Sequence, residues 1–291
     1  MSFPDFPFSS RFATVNGRQM HYLDEGPSRA TTVVMLHGNP TWSFYFRKVG
    51  SCRCIVPDHI GMGLSEKPAG NSYRHTLSRR VDDLEELLEQ LAVKQGITLI
   101  LHDWGGMIGM AYAIRYPDRI KRLVIMNTTA FHLEGMKPLP WQLILARIPL
   151  IGATLVQGFN AFCRGAVRRC VTREPMAAET RKAYLAPYDS WRHRLAVLRF
   201  VQDIPLHPGD PAYDTVSKVE AGLGQFRQVP MLICWGLQDF VFDEPFLAEW
   251  IERFPHAEVR RFNGAGHYVL EDAADEIVPL VKQFLDKHPV E

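Results

Sequence analysis

The chain has 291 residues, 46% of them apolar and 22% charged, which is enough to bury a full core as one large domain or as a core carrying an insertion. A formal charge of +1 creates no large field of one sign, so nucleic acid is not implied as a partner and a small uncharged substrate remains open. Five cysteines form an odd set with no CxxC and no paired Cys/His spacing, which argues against both a disulfide framework and a zinc site.

In chain order, the opening MSFPDFPFSSRF has no basic segment followed by an apolar core. No signal peptide is visible there, and a cytoplasmic location is the default expectation. RFATVNGRQMHYLDEG (11 to 26) reads as an antiparallel hairpin turning at Asn16-Gly17. TTVVMLHG (31 to 38), RCIVPD (53 to 58), ITLILHD (97 to 103), RLVIMN (122 to 127) and PMLICWG (230 to 236) are short runs rich in Val, Ile and Leu, the pattern of strands buried on both faces. LSRRVDDLEELLEQLAV (77 to 93) carries its leucines and valines at helical spacing, and GGMIGMAYAIRYP (105 to 117) is a second helix ended by Pro117. Strands alternating with helices predict an α/β fold with a mostly parallel, doubly wound sheet.

After Asn127 the alternation lapses until Pro230. The reading is an α/β core over 1–129 and 216–291, interrupted by a helical cap over 130–215. No run of about 18 apolar residues is present to cross a bilayer. WQLILARIPLIGATLVQGF, the most apolar part of the cap, has a competing reading as a membrane-surface helix, because Arg164, Arg168 and Arg169 follow it.

In an open parallel sheet the carboxyl ends of the strands meet the ligand. Asn39 follows the first apolar strand, Asp103 and Trp104 the central one, Asn127 the next, Asp239 the run PMLICWGLQ, and His267 the last candidate strand AEVRRF. An acidic residue, then Asp, then His is the chain order of an α/β-hydrolase triad with Asp in the serine's place. A carboxylate at a strand-to-helix turn is kept ionised by the helix N-terminus, and its oxygen can attack an electrophilic carbon to form an ester. His267 can then activate water, with Asp239 accepting its other ring proton. Trp104 and Asn39 offer an indole N–H and an amide NH2 to a departing anion, and their backbone N–H groups are candidate oxyanion donors.

Each residue alone has a plainer reading. A single Asp at a strand end is more often a helix cap, and Asp243 is the rival to Asp239, read as a helix N-cap. His37 and His102 are read as structural. Trp141, Trp191 and Phe200 lie at helical spacing, which is more often core than pocket lining. Tyr184, Tyr188 and Tyr213 are available as the acid of an epoxide hydrolase, but the pair Trp104 and Asn39 favours departure of an anion.

HGNPTWSFYFR (37 to 47), VPDHIGMGLSEKP (56 to 68), HDWGG (102 to 106), WGLQD (235 to 239) and GAGHYVLED (264 to 272) closely resemble the haloalkane-dehalogenase branch of the α/β-hydrolases over nearly the whole chain. Asp239 as the acid, Asn127 where a second subgroup keeps Glu, and the Asn39/Trp104 pair resemble the third dehalogenase subfamily. PDHIGMGLS, HDWGGMIGM and SWRHRLAVLRFVQDIPL (190 to 206) look closer still to the β-lactone decarboxylases of bacterial long-chain olefin biosynthesis. That resemblance implies Asp103, His267 and Asp239 as catalytic residues, Asn39 and Trp104 as binders of the leaving anion, no metal or other cofactor, and a small hydrophobic substrate. It further implies conversion of cis-3,4-dialkyl β-lactones to cis-olefins and carbon dioxide, in assembly with an AMP-forming ligase-type β-lactone synthetase and a reductase. Hydrolytic dehalogenation is the alternative on the same scaffold, and a catalytically silent binding protein is a further one. One departure from the pattern is FRKVGSCRCIVPD, about four or five residues short, which removes roughly a turn from the first core helix.

Overall fold

The computed structural model describes residues 3–27, 31–50, 52–133 and 139–290. Eight strands form one sheet in the order β1-β2-β4-β3-β5-β6-β7-β8. They are β1 (Arg11–Val15), β2 (Arg18–Glu25), β3 (Thr32–Leu36), β4 (Arg53–Pro57), β5 (Ile97–His102), β6 (Ile120–Met126), β7 (Met231–Gly236) and β8 (Glu258–Phe262). The β1/β2 hairpin and the β2/β4 pair are antiparallel, and every other pair is parallel. The unbroken apolar runs are explained by position: all residues of β3, β5 and β7 are buried, as strands covered by helices on both faces must be.

Two core helices carry the chain between strands. α1 (Leu77–Gln90) is capped by the Thr76 side chain, which accepts from the Arg79 N–H, and it turns Leu77, Val81, Leu84 and Leu88 inward. It stops before the expected 93 because Ala92 adopts a φ of 54°, outside the helical region. α2 (Trp104–Arg115) is buried from Trp104 to Ala113, and it ends before Tyr116 because the residue preceding a proline avoids the α conformation.

The expected loss in the first core helix is visible as a single 3-10 turn, Ser43–Phe46. Its Trp42 and Phe44 pack against Phe3 and Phe6. A cavity of about 300 Å³ lined in part by Leu23, Phe46, Val49 and Val56 lies beside it.

Between β6 and β7 the described chain is helical: α3 (Trp141–Arg147), α4 (Pro149–Gly152), a π-helical segment Ala153–Gly158, α5 (Ala161–Arg169), α6 (Ala178–Leu185), α7 (Leu195–Gln202) and α8 (Tyr213–Gly222). The expected cap limit at 215 falls inside α8, whose Gly222 backbone lies against Ile114 of α2. After β7 come α9 (Glu244–Arg253), α10 (Val269–Asp272) and α11 (Ala274–Lys287). Among the described residues no helix is long and apolar enough to cross a membrane.

Candidate active site

Asp103 sits between β5 and α2 with φ 50° and ψ −127°, a strained conformation for a residue with a side chain. The turn is tight because its neighbours have no side chains to interfere. A Cβ on Gly38 would stand 2.0 Å from Asp103 Oδ1, and one on Gly105 would stand 1.9 Å from the Leu36 carbonyl oxygen. The strain is held by bonds on all sides: the Asp103 N–H donates to the Asn127 carbonyl at 3.2 Å, and the Thr128 hydroxyl donates to the Asp103 carbonyl.

Asp103 is buried, with 7% of the residue exposed. Its Oδ1 accepts the Asn39 backbone N–H at 2.7 Å, and the Trp104 N–H also donates to the carboxylate. Burial raises the Asp103 pKa, while His267 and these two backbone donors act in the opposite direction. Such donors suit an oxygen on which charge remains or develops. His267, the Asn39 N–H and the Trp104 N–H thus offset part of the cost of burying this carboxylate.

His267 faces Asp103 with Nε2 at 3.6 Å from Oδ2, and its Nδ1 is bonded to Asp239 Oδ2 at 2.8 Å. The remaining capacity of Asp239 is filled as well: Oδ1 accepts the Val241 N–H at 2.7 Å and Oδ2 accepts Asn127 Nδ2 at 3.0 Å. Burial opposes the charge on His267, but Asp239 and then Asp103 outweigh it and raise the pKa above the usual histidine value.

Asn127, the position where a second subgroup keeps Glu, meets Asp239 in space. Asn127 bonds Asp239 directly and is itself locked by the Gly236 N–H and carbonyl, at 2.8 and 3.0 Å. Asp243 takes the N-cap position of α9. His37 and His102 serve the scaffold: His37 Nδ1 bonds the Gly38 carbonyl and His102 Nε2 bonds the His267 carbonyl, both at 2.8 Å.

Asn39, Asp103, Trp104 and His267 border a cavity of about 510 Å³, whose largely apolar wall includes Leu143, Phe162, Ala166, Val201, Phe240 and Phe246. Trp104 and Asn39 both reach this space, but Asn39 also spends one amide N–H on the Val197 carbonyl of α7 at 3.1 Å. Its Oδ1 is buried and has no partner among the described residues.

The aromatic candidates sort differently. Trp141 and Trp191 are exposed and do not border the cavity. Phe200 is buried behind Trp104, edge-on at 5.2 Å. Of the three tyrosines, Tyr213 borders the cavity and stacks on His132, whereas Tyr184 bonds Glu271 and Tyr188 bonds the Thr41 carbonyl.

One part of the site lies outside the sequence reading. Arg80 of α1 places its guanidinium 3.7 Å from the Phe200 ring and 5.4 Å from that of Trp104, and it is paired at 2.6 Å with Asp203 just beyond α7. A signal was present: Arg80 lies three residues after Leu77 on the apolar face of α1, where a charge requires a buried partner. Among the described residues no group of three or more His, Cys, Asp or Glu side chains is placed to hold a metal ion.

A model of the alpha/beta hydrolase family matches residues 33–280. The chain is 56% identical over 284 residues to the cis-3-alkyl-4-alkyloxetan-2-one decarboxylase of Shewanella oneidensis, covering 96% of this chain and 89% of that protein. It is 46% identical over 301 aligned positions to the protein of the same name from Xanthomonas campestris pv. campestris, covering 100% of both. A crystal structure of a haloalkane dehalogenase from Bradyrhizobium elkani superposes with a TM-score of 0.85 at 25% identity, covering 96% of this chain and 98% of that one. Strand order, the turn at Asp103 and these similarities agree, and the chain belongs to the alpha/beta hydrolase family, in the group that contains the two decarboxylases.

Proposed function

We propose that this chain is a lyase that converts cis-3-alkyl-4-alkyloxetan-2-ones, β-lactones bearing two alkyl chains, to cis-olefins and carbon dioxide. The observation that carries the reading is a buried carboxylate, Asp103, cradled by backbone N–H donors at the floor of a 510 Å³ apolar cavity. The full-length similarity to proteins named for this reaction supports it.

In the first step an Asp103 oxygen attacks the ring carbon that bears the ring oxygen. The bond to that oxygen breaks, an ester to Asp103 forms with inversion, and the ring's acyl group is released as a free carboxylate. The Trp104 indole N–H and the second amide N–H of Asn39 receive the new anion. In the second step the bond to that carboxylate breaks, its electron pair becomes the carbon–carbon double bond, and Asp103 leaves from the opposite face. Inversion followed by anti elimination keeps the two alkyl chains cis. Carbon dioxide departs, Asp103 regains its charge, and no water or redox partner is consumed.

Asp239 and Asp103 overcome burial and raise the His267 pKa, which shifts the ring toward the imidazolium. That charge stabilises the departing Asp103 carboxylate and withholds the base that water would need to hydrolyse the ester. Dehalogenation is the second reading, favoured by the likeness to the Bradyrhizobium enzyme. The same cradle can hold a halide, but the ester must then be hydrolysed with neutral His267 as base.

The test is side-by-side kcat/KM for a cis-3,4-dialkyl β-lactone and for short haloalkanes, with products identified by gas chromatography. The cis-alkene is expected as the main product. A β-hydroxy acid alone, or a clear preference for haloalkanes, overturns the proposal.

A further inference from the structure

We propose that the outward face of α3 and α4, continued through Phe159 to the exposed arginines of α5, docks on an anionic phospholipid surface with the cavity mouth beside the contact. Eight large apolar side chains are exposed among the described residues, and seven of them lie in the cap between Trp141 and Trp191. Trp141, Ile144 and Ile148 follow at helical spacing along α3 and its end. Leu150 and Ile151 continue the face on α4, and Phe159 ends it ahead of α5; Leu150 is 83% exposed and Trp141 and Phe159 are each 66% exposed. Scattered apolar residues on a surface need no explanation, but a run of this kind marks a contact surface.

Charge selects the occupant. From Leu139 to Arg173 the sequence holds five arginines and no Asp or Glu; Arg147 is paired with Asp210 and Arg173 with Glu276, while Arg164, Arg168 and Arg169 are exposed on α5. An apolar face carrying tryptophan and phenylalanine and continued by the exposed arginines of α5 matches an interface between anionic headgroups and acyl chains.

The geometry gives the contact a use. The helices that expose this face turn Leu143 of α3 and Phe162 of α5 inward to line the catalytic cavity, and Arg169 borders the cavity as well. A β-lactone with two alkyl chains, and the olefin made from it, partition into lipid in preference to water. Docking here would let both cross between bilayer and cavity without entering bulk water. This use rests on the proposed function, whereas the docking itself does not.

Flotation of the full chain with vesicles of phosphatidylethanolamine and phosphatidylglycerol, and separately with phosphatidylcholine alone, tests the inference. Binding to the anionic vesicles is expected, at least about tenfold weaker with phosphatidylcholine or at high salt. Leu150→Ser with Ile151→Ser should lower partitioning about tenfold or more, and Arg164→Ser with Arg168→Ser about tenfold. Because all four side chains are exposed, thermal melting and turnover of a dissolved short-chain lactone should not change. No flotation of the wild type, or undiminished flotation of the Leu150/Ile151 variant, overturns the proposal. So does a lipid-free dimer, seen by light scattering, that the same variant splits, since the face would then belong to a second copy. Flotation together with a failed lactone assay would keep the docking and remove the function.

Discussion

The floor of the site and the cap above it are built on opposite terms. At the floor, Asn39, Asp103, Asn127, Asp239 and His267 are all buried, and they are joined to strand-end backbone or to one another by bonds of 2.7 to 3.0 Å. The cap carries seven of the exposed large apolar side chains. Its polar ties to the core include Tyr184 to Glu271, Tyr188 to Thr41, the Val197 carbonyl to Asn39 and Arg80 to Asp203. Chemistry that depends on the placement of charged oxygens resides where the backbone leaves little freedom. The fit of alkyl chains, which is a matter of volume, is left to the apolar side chains of the cap that line the cavity, Leu143, Phe162, Ala166 and Val201 among them.

The hardest way to break the floor is to remove its charge. Asp103→Asn keeps the shape but removes the proposed nucleophile, so kcat/KM should fall by about 10⁴-fold or more. Initial rates on freshly purified protein, with intact mass used to exclude deamidation, check this; retained turnover would move the nucleophile elsewhere.

Acid should destabilise the fold that holds floor and cap together. His59 and His102 are pushed well down by burial, and His75 is pushed down by burial to about 3. Unfolded rings bind protons near pH 6.5 that these folded rings refuse, so stability should fall as pH drops below about 6.5. Asp58 adds a later loss. His21 and His37 together with the Leu64 N–H overcome its burial and hold its pKa well below the usual range, so its contribution is present above about pH 3.9 and is lost as pH falls through the folded value. His267 runs the other way: its raised pKa gives stability that is present below about pH 6.5 and is lost as pH rises through the folded value. Thermal midpoints across the range measure the sum, and a flat profile between about pH 7.5 and about pH 5 would contradict it.

The join between the two regions is next in size. Arg47 is bonded to both Glu271 oxygens, with side chains 2% and 7% exposed, and the Tyr184 hydroxyl of α6 joins the same carboxylate. Glu271→Ala leaves a buried guanidinium unpaired and should cost about 3–5 kcal/mol, whereas Tyr184→Phe should cost about 1.5–3 kcal/mol. Denaturant midpoints for both variants sharpen the comparison, and equal losses would mean that the tyrosine carries the clamp.

The mildest change belongs to the cap. Phe162 borders the cavity and is only partly buried, so Phe162→Ala should enlarge the alkyl site and shift relative kcat/KM toward longer chains by roughly tenfold. It should leave the pH profile of the floor in place. A lactone series of increasing chain length reads this, and an unchanged preference would remove Phe162 from the selective wall.

The sequence by itself determined the parallel sheet, the helical stretch between β6 and β7, and the placement of Asn39, Asp103, Trp104, Asp239 and His267 after strands. Those signals are local: a run of Val, Ile and Leu closed by a polar residue and a glycine pair is legible from about ten neighbouring positions. Only the tertiary structure decided that Asn127 would bond Asp239 across 112 residues of chain, that Asn39 would tie to Val197 across 158, and that Arg80 would settle against Phe200 and Trp104 with Asp203 as its partner. It also sent Phe200 inward behind Trp104 while leaving Trp141 and Trp191 outside. Helical spacing records that a helix has two faces, but which face is buried is set by the shape and chemistry of a distant element packed against it.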